Sequence, residues 1–372
     1  MTIETLVQAI LAGPDVEAVP HQQALAAFGA TAVPPIVEGV EANKGPPRRR
    51  LAEVISQIRD PEARPLLIGI LESRNRNLRM PTIEALAHLP DPRAAAPLLE
   101  IWSWTQNSVL AQALIATGDP AVPDAFQAAL RRWLAGTTDP SKAAEGMNSV
   151  AVGTLVVMIP VLSDGGRNLA FAALHAVATG ASSPEVRERA ILALWRSVGP
   201  GCVETIRTAL TDPMPMNRQH AVFAGYFLGV GALIPDLVEI GITDVDPTVS
   251  ATAREALMRI AGLELTQQAP APAVISNWFE NVGKQLDDEI AYRGGKPIHP
   301  STVAAMIAIE PRGPWDRALE FDILTGAGLP HHSGDPMPQD EIGALAVAWA
   351  EAHADDFEPG AIYRGGQRIE LP

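Results

Sequence analysis

Cysteine is almost missing from this chain: Cys202 stands alone in 372 residues. That excludes an intrachain disulfide and a cysteine-built metal site, and it makes a reducing cytoplasm the expected compartment. Lysine is scarce as well, with four residues, Lys44, Lys142, Lys284 and Lys296, among 28 basic ones. The arginine excess fits GC-rich coding, or arginine–carboxylate pairs between structural units. Long hydrophobic runs are lacking too. The most apolar stretch, Val150 to Leu162, is about 13 residues long with Gly153 and Pro160 inside it, whereas a membrane span needs roughly 20. The opening Met1-Thr-Ile-Glu-Thr-Leu has no basic segment of the secretory type. Positive charge is in deficit, with 28 basic against 43 acidic residues and a net charge of −15. Such a field repels a nucleic-acid backbone and favours a basic partner. Neither nucleic acid nor membrane is therefore an expected partner. Phosphate-binding glycine loops, Gly-x-Ser-x-Gly elbows and His-Glu-x-x-His pairs are all absent.

What the chain does have is a repeat of about 31 residues. Asp60-Pro-Glu-Ala-Arg-Pro-Leu-Leu returns as Asp91-Pro-Arg-Ala-Ala-Ala-Pro-Leu-Leu. The run Pro184-Glu-Val-Arg-Glu-Arg-Ala-Ile-Leu-Ala-Leu returns from Pro215 and again from Pro247, keeping Ala190, Ala221 and Ala253 in phase. Each unit reads as two helices. One opens on proline, which a first helical turn tolerates because its missing N–H has no partner there. It closes near a glycine, at Gly118, Gly199, Gly229 or Gly262. A short turn leads to a second helix such as Pro65-Leu-Leu-Ile-Gly-Ile-Leu or Pro97-Leu-Leu-Glu-Ile-Trp. Alternating β-branched runs of the strand type do not occur.

The pattern Asp-x-x-Pro-x-Val-Arg-x-x-Ala-x-x-Ala-Leu-x-x-x-Gly, best copied in Ser183–Gly199 and Asp246–Gly262, resembles bacterial HEAT-repeat proteins and the HEAT-like repeats of the PBS-lyase (phycobilin-lyase) type. The resemblance implies an all-α fold, a right-handed α-solenoid of HEAT-like helical hairpins, over residues 1–265. Arg187 and Arg218 occupy the arginine position of the repeat, but Ser250 follows in the next copy, so an Asp–Arg ladder between repeats is expected to be incomplete. A Pro/Ala/Gln-rich linker is expected at 266–274 and a C-terminal capping region at 275–372.

That last region carries its own duplication. Trp278 is followed fourteen residues later by Tyr292-Arg293-Gly-Gly, and Trp349 fourteen residues later by Tyr363-Arg364-Gly-Gly, every position offset by 71. Glu280 and Glu351 match, and Leu286 and Phe357 agree in character. The pattern suggests a helix ending in a bend, with the glycines supplying positive φ. Two readings stay open. The aromatic residues are core anchors of a cap that seals the solenoid end, or Trp278, Tyr292, Arg293, Trp349, Tyr363 and Arg364 form a surface that grips a partner, these being residue types enriched in binding hot spots.

Other clusters carry less. His331-His332-Ser-Gly-Asp335 reads as a solvated loop, Asp287-Asp288-Glu289 and Asp355-Asp356 as solvated faces, and Arg48-Arg49-Arg50 as a first helical turn. No catalytic residue, cofactor or metal is expected. The sequence points to a cytoplasmic protein-binding scaffold or adaptor. The alternatives are a HEAT-like enzyme of the bilin-lyase or DNA-glycosylase type, or an immunity or inhibitor protein masking a basic effector.

Overall fold

Three repeat helices begin on the prolines that mark the period: Pro184–Leu194, Pro215–Leu228 and Pro247–Ala261. This computed structural model describes every residue except 74, 137–138, 195–198, 200, 263–269, 308–316, 330–337, 365 and 370–372. The chain divides into two units, Met1–Arg132 with Gly153–Gly166, and Trp133–Val152 with Arg167–Pro372. Both are stacks of paired α-helices, so the fold is an all-α solenoid. No described helix is long and apolar enough to cross a membrane.

In the first unit three repeats enter their leading helix through a 3₁₀ turn: Gly29–Ala32 into Val33–Ala42, Pro61–Ala63 into Arg64–Glu72, and Pro92–Ala94 into Ala95–Trp102. Asp60 and Asp91 cap the latter two turns, accepting the N–H of Glu62 and of Arg93 at 2.9 Å. Asp60 also accepts the Ala30 N–H at 2.8 Å, which fastens one repeat to the next. Gly29 makes that approach feasible. Its φ is +60°, and a Cβ there would lie 2.3 Å from the Asp60 carboxylate. The partner helices Gly45–Gln57, Arg76–His88 and Ser108–Thr117 pack on one another in chain order. They bury Leu51, Ile55, Leu78, Ile83 and Leu110 completely. Arg50 of the basic cluster is tied down rather than free, donating to the carbonyls of Ile10 and of Gly13 (2.8 Å).

In the second unit the proline-led helices form one layer, while Cys202–Ala209 and Ile234–Thr243 belong to the other. Gly229 and Gly262 end their helices in the left-handed conformation, as the period requires. Two bidentate ion pairs cross between repeats. Arg187 donates to Asp212 at 2.7 and 3.1 Å, and Arg218 to Asp244 at 2.7 and 2.8 Å. Each arginine also donates to the carbonyl six residues before it, Ala181 or Asp212. At the third position the Ser250 hydroxyl donates to the Pro247 carbonyl at 3.2 Å, so among the described residues this ladder has two rungs.

The expected linker falls partly on 266–269, outside the described residues, and a helix starts at Pro272. Beyond it the bend expected at each Tyr-Arg-Gly-Gly is a hairpin. Strands β1 (Tyr292–Arg293) and β2 (Lys296–Pro297) pair antiparallel, as do β3 (Ile362–Arg364) and β4 (Gln367–Ile369). Gly294 and Gly295 take φ of +58° and +74°, the double positive φ that a two-residue hairpin turn demands. Strands of two or three residues are too short to print an alternating pattern in a sequence.

Candidate functional site

The 71-residue offset reproduces geometry, not only letters. The helix Pro272–Asn281 leads through a 3₁₀ turn to the β1–β2 hairpin, and the helix Gln339–Ala352 leads through another to β3–β4. In each copy the tyrosine hydroxyl accepts the backbone N–H five residues earlier. Asp287 donates to Tyr292 and Glu358 donates to Tyr363, both at 3.0 Å. In each copy the second turn glycine donates to a carbonyl at the end of another helix. Gly295 bonds Ile260 at 2.8 Å, and Gly366 bonds Leu324 of the helix Arg317–Thr325 at 3.1 Å. The hairpins therefore act as helix C-caps supplied from elsewhere in the chain. The copies also meet at Gly360, which donates to the Ile298 carbonyl and accepts from the Ala291 N–H.

The six motif residues lie mostly inside. Trp278, Tyr292 and Tyr363 are buried, and Arg293 has no exposed surface. The Arg293 guanidinium lies 4.2 Å over the Tyr226 ring. It donates to the Tyr292 carbonyl at 2.6 Å, to the Tyr226 carbonyl, and to Glu320 in a buried ion pair. Glu320 accepts the Tyr226 hydroxyl at 3.1 Å as well. The three side chains join a repeat helix, the first hairpin and the Arg317–Thr325 helix. Trp349 is half-buried, stacked on His353 at 4.0 Å and set edge-on to Phe321 and Phe357. The Arg364 side chain lies outside the described residues, as does His331-His332-Ser-Gly-Asp335. Asp287, Asp288, Glu289, Asp355 and Asp356 are exposed. Among the described residues no group of three or more His, Cys, Asp or Glu is placed to hold a metal.

Two surface features of the second unit had no sequence signal of their own. The first is the edge along which the ladder runs. Arg218 binds Asp244 while donating to the Asp212 carbonyl, so the loops leading into Pro215 and Pro247 lie side by side. On them Met214 and Val245 are 43% and 94% exposed, and Met216, in the first turn of the helix that follows, is 52% exposed. A 310 Å³ cleft opens next to them, lined by Ala178, Arg187, Thr208, Thr211 and Pro213 among others. The Arg218 guanidinium, hydrogen-bonded to Asp244, holds that carboxyl below the usual carboxylate range against the opposing effect of burial. The second feature is a 520 Å³ cleft between the end of the Pro247–Ala261 helix, the first hairpin and the helix Pro300–Ile307. In the first unit Trp104 is 56% exposed, with the Arg79 guanidinium 4.9 Å above its ring.

A family model described as HEAT repeats matches residues 33–118 and 171–258. Among solved structures, the chain is similar to the complex of CpcE and CpcF of phycocyanin lyase from Nostoc sp. PCC7120. The identity is 16% over 76% of this chain and 95% of that one, with a TM-score of 0.28. It is also similar to a designed armadillo repeat protein in complex with the peptide (KR)4, at 18% identity over 69% of this chain and 98% of that one, with a TM-score of 0.22. No curated protein matches the chain.

Proposed function

We propose that this HEAT-repeat chain is a cytoplasmic scaffold that holds a protein partner along the ladder edge of its second unit, without catalysis of its own. The observation that carries the reading is the exposure of three apolar side chains, Met214 and Val245 on adjacent loops and Met216 in the first turn of the Pro215–Leu228 helix, beside a cleft. Methionine adapts its shape to an apolar partner surface, and the rungs beneath hold the loops in fixed register. A helix or extended segment laid along repeats is the natural occupant of such an edge. With −15 net charge, a basic partner would arrive faster at low salt than at high salt. The test is capture from source lysate with the full chain and with Met214→Glu/Met216→Glu/Val245→Glu, after circular dichroism confirms both are folded. The expected result is one partner recovered near stoichiometry by the first and lost by the second. Equal recovery by both would move the binding face elsewhere, and no enriched protein under several growth conditions would remove the reading.

A further inference from the structure

We propose that the 520 Å³ cleft beside the first hairpin binds a small amphiphilic anion, a carboxylate or phosphate head on a short apolar body. The volume is that of a small-molecule site. Its chemistry runs against the rest of the molecule. Acidic residues outnumber basic ones by 43 to 28 in the chain, yet no carboxylate side chain is among the described residues lining this cleft. Two cations line it instead, Arg259 from the last turns of the Pro247–Ala261 helix and Lys296 from β2. Thr302 and Ser301 add hydroxyls, the latter hydrogen-bonded to His299 Nδ1 at 2.7 Å.

The walls carrying those cations are fixed to each other. The Gly294 N–H donates to the carbonyl of Arg259 itself at 2.9 Å, and the Gly295 N–H to that of Ile260 at 2.8 Å. A Cβ on Gly262 would lie 2.4 Å from the Gly294 carbonyl, so helix end and turn are already in contact. Arg259 and Lys296 thus sit on one pinned frame, and little ordering of backbone remains to oppose binding. Met258, 2% exposed, and the half-buried Met306 supply apolar lining suited to an aliphatic body. No aromatic side chain is among the described lining residues, so among them recognition falls to the groups that meet the charged head. The second hairpin is an internal contrast. Gln367 stands 71 residues after Lys296, on the same turn, without the charge.

The experiment uses the full chain labelled with [methyl-13C]methionine, with the Met258 and Met306 signals assigned through single leucine variants. Octanoate, octyl phosphate and octanol are titrated separately. Expected is a saturable shift of both methyl signals with one or both anions, and binding of octanol weaker by about tenfold or more. Whichever anion binds more tightly identifies the head group. Lys296→Gln, at an exposed position, should weaken the anion by about tenfold and leave octanol unchanged. Equal affinity for octanol and the tighter-binding anion, unchanged affinity for that anion in Lys296→Gln, or no saturation by either anion at millimolar concentration would each overturn the proposal. The cleft shares no residue with the ladder edge, so this result and the capture result stand or fall separately.

Discussion

Arg293 is a charge with no exposed surface, and its stability rests on four other groups: the Glu320 carboxylate, the Tyr226 ring and the carbonyls of Tyr292 and Tyr226. Removing one member of such a set leaves the other charge buried and uncompensated. Arg293→Met is therefore expected to destabilise the second unit by about 3–5 kcal/mol, measured by urea unfolding. The double change Arg293→Met/Glu320→Leu should lose less than Arg293→Met alone, because both charges then leave the interior together. A second residue-scale prediction concerns acid. His175 Nε2 is buried with no hydrogen-bond partner among the described residues, and burial pulls its pKa below the usual 6.5. The Arg93 guanidinium holds Asp91 down at about 2, burial opposing it. In both cases the folded chain binds its proton less readily than the unfolded chain does. Their stabilisation is therefore complete above the ordinary pKa and is lost as pH falls through the folded one. Urea midpoints should begin to drop below pH 6.5 through His175 and drop further between 3.8 and about 2 through Asp91. In His175→Leu the first decline should be shallower while the second remains.

At the scale of elements, the duplicated hairpins make matched predictions. Tyr292→Phe and Tyr363→Phe each leave one backbone N–H, of Asp287 or Glu358, without its acceptor. Each should cost about 0.5–1.5 kcal/mol, and hydrogen exchange at that single amide should quicken in both. Gly295→Ala should cost more than about 1 kcal/mol, since φ is +74° and the new methyl would lie 2.6 Å from the Ala261 carbonyl oxygen. Why some elements were legible in the sequence and others were not follows from range. Pro184, Pro215 and Pro247 announce helices because proline acts on its own turn, and Gly229 and Gly262 end them for an equally local reason. Ser250 predicts the missing rung because a serine cannot replace a guanidinium. The tyrosine motif was visible as a duplication, but its use was not. Arg293 meets Tyr226 67 residues away and Glu320 27 residues away, and no local pattern encodes such pairings. The same holds for the anion cleft, whose lining comes from three separate elements, and for Met214 and Val245, whose exposure depends on which loops the rungs bring together.

At the scale of the molecule, the two units are interleaved along the chain. Trp133–Val152 belongs to the second unit yet separates Met1–Arg132 from Gly153–Gly166 of the first. A fragment ending at 132 therefore lacks part of its own unit, including the fully buried Leu155 and Met158. It should melt several degrees below a fragment ending at 166, each lost kcal/mol lowering Tm by roughly 2–8 °C, as read by calorimetry. Interleaving also means that proteolysis at one bond cannot deliver both units whole. The buried Arg293–Glu320 pair has a consequence in time. Synthesis runs from the N-terminus at roughly 5–20 residues per second, and Glu320 follows Arg293 by 27 residues. For about 1–5 s on the ribosome, the arginine has emerged and its counter-charge has not. During that interval the first hairpin has every reason to stay in water, and the helix ends it will later cap stay open to any chaperone that arrives first.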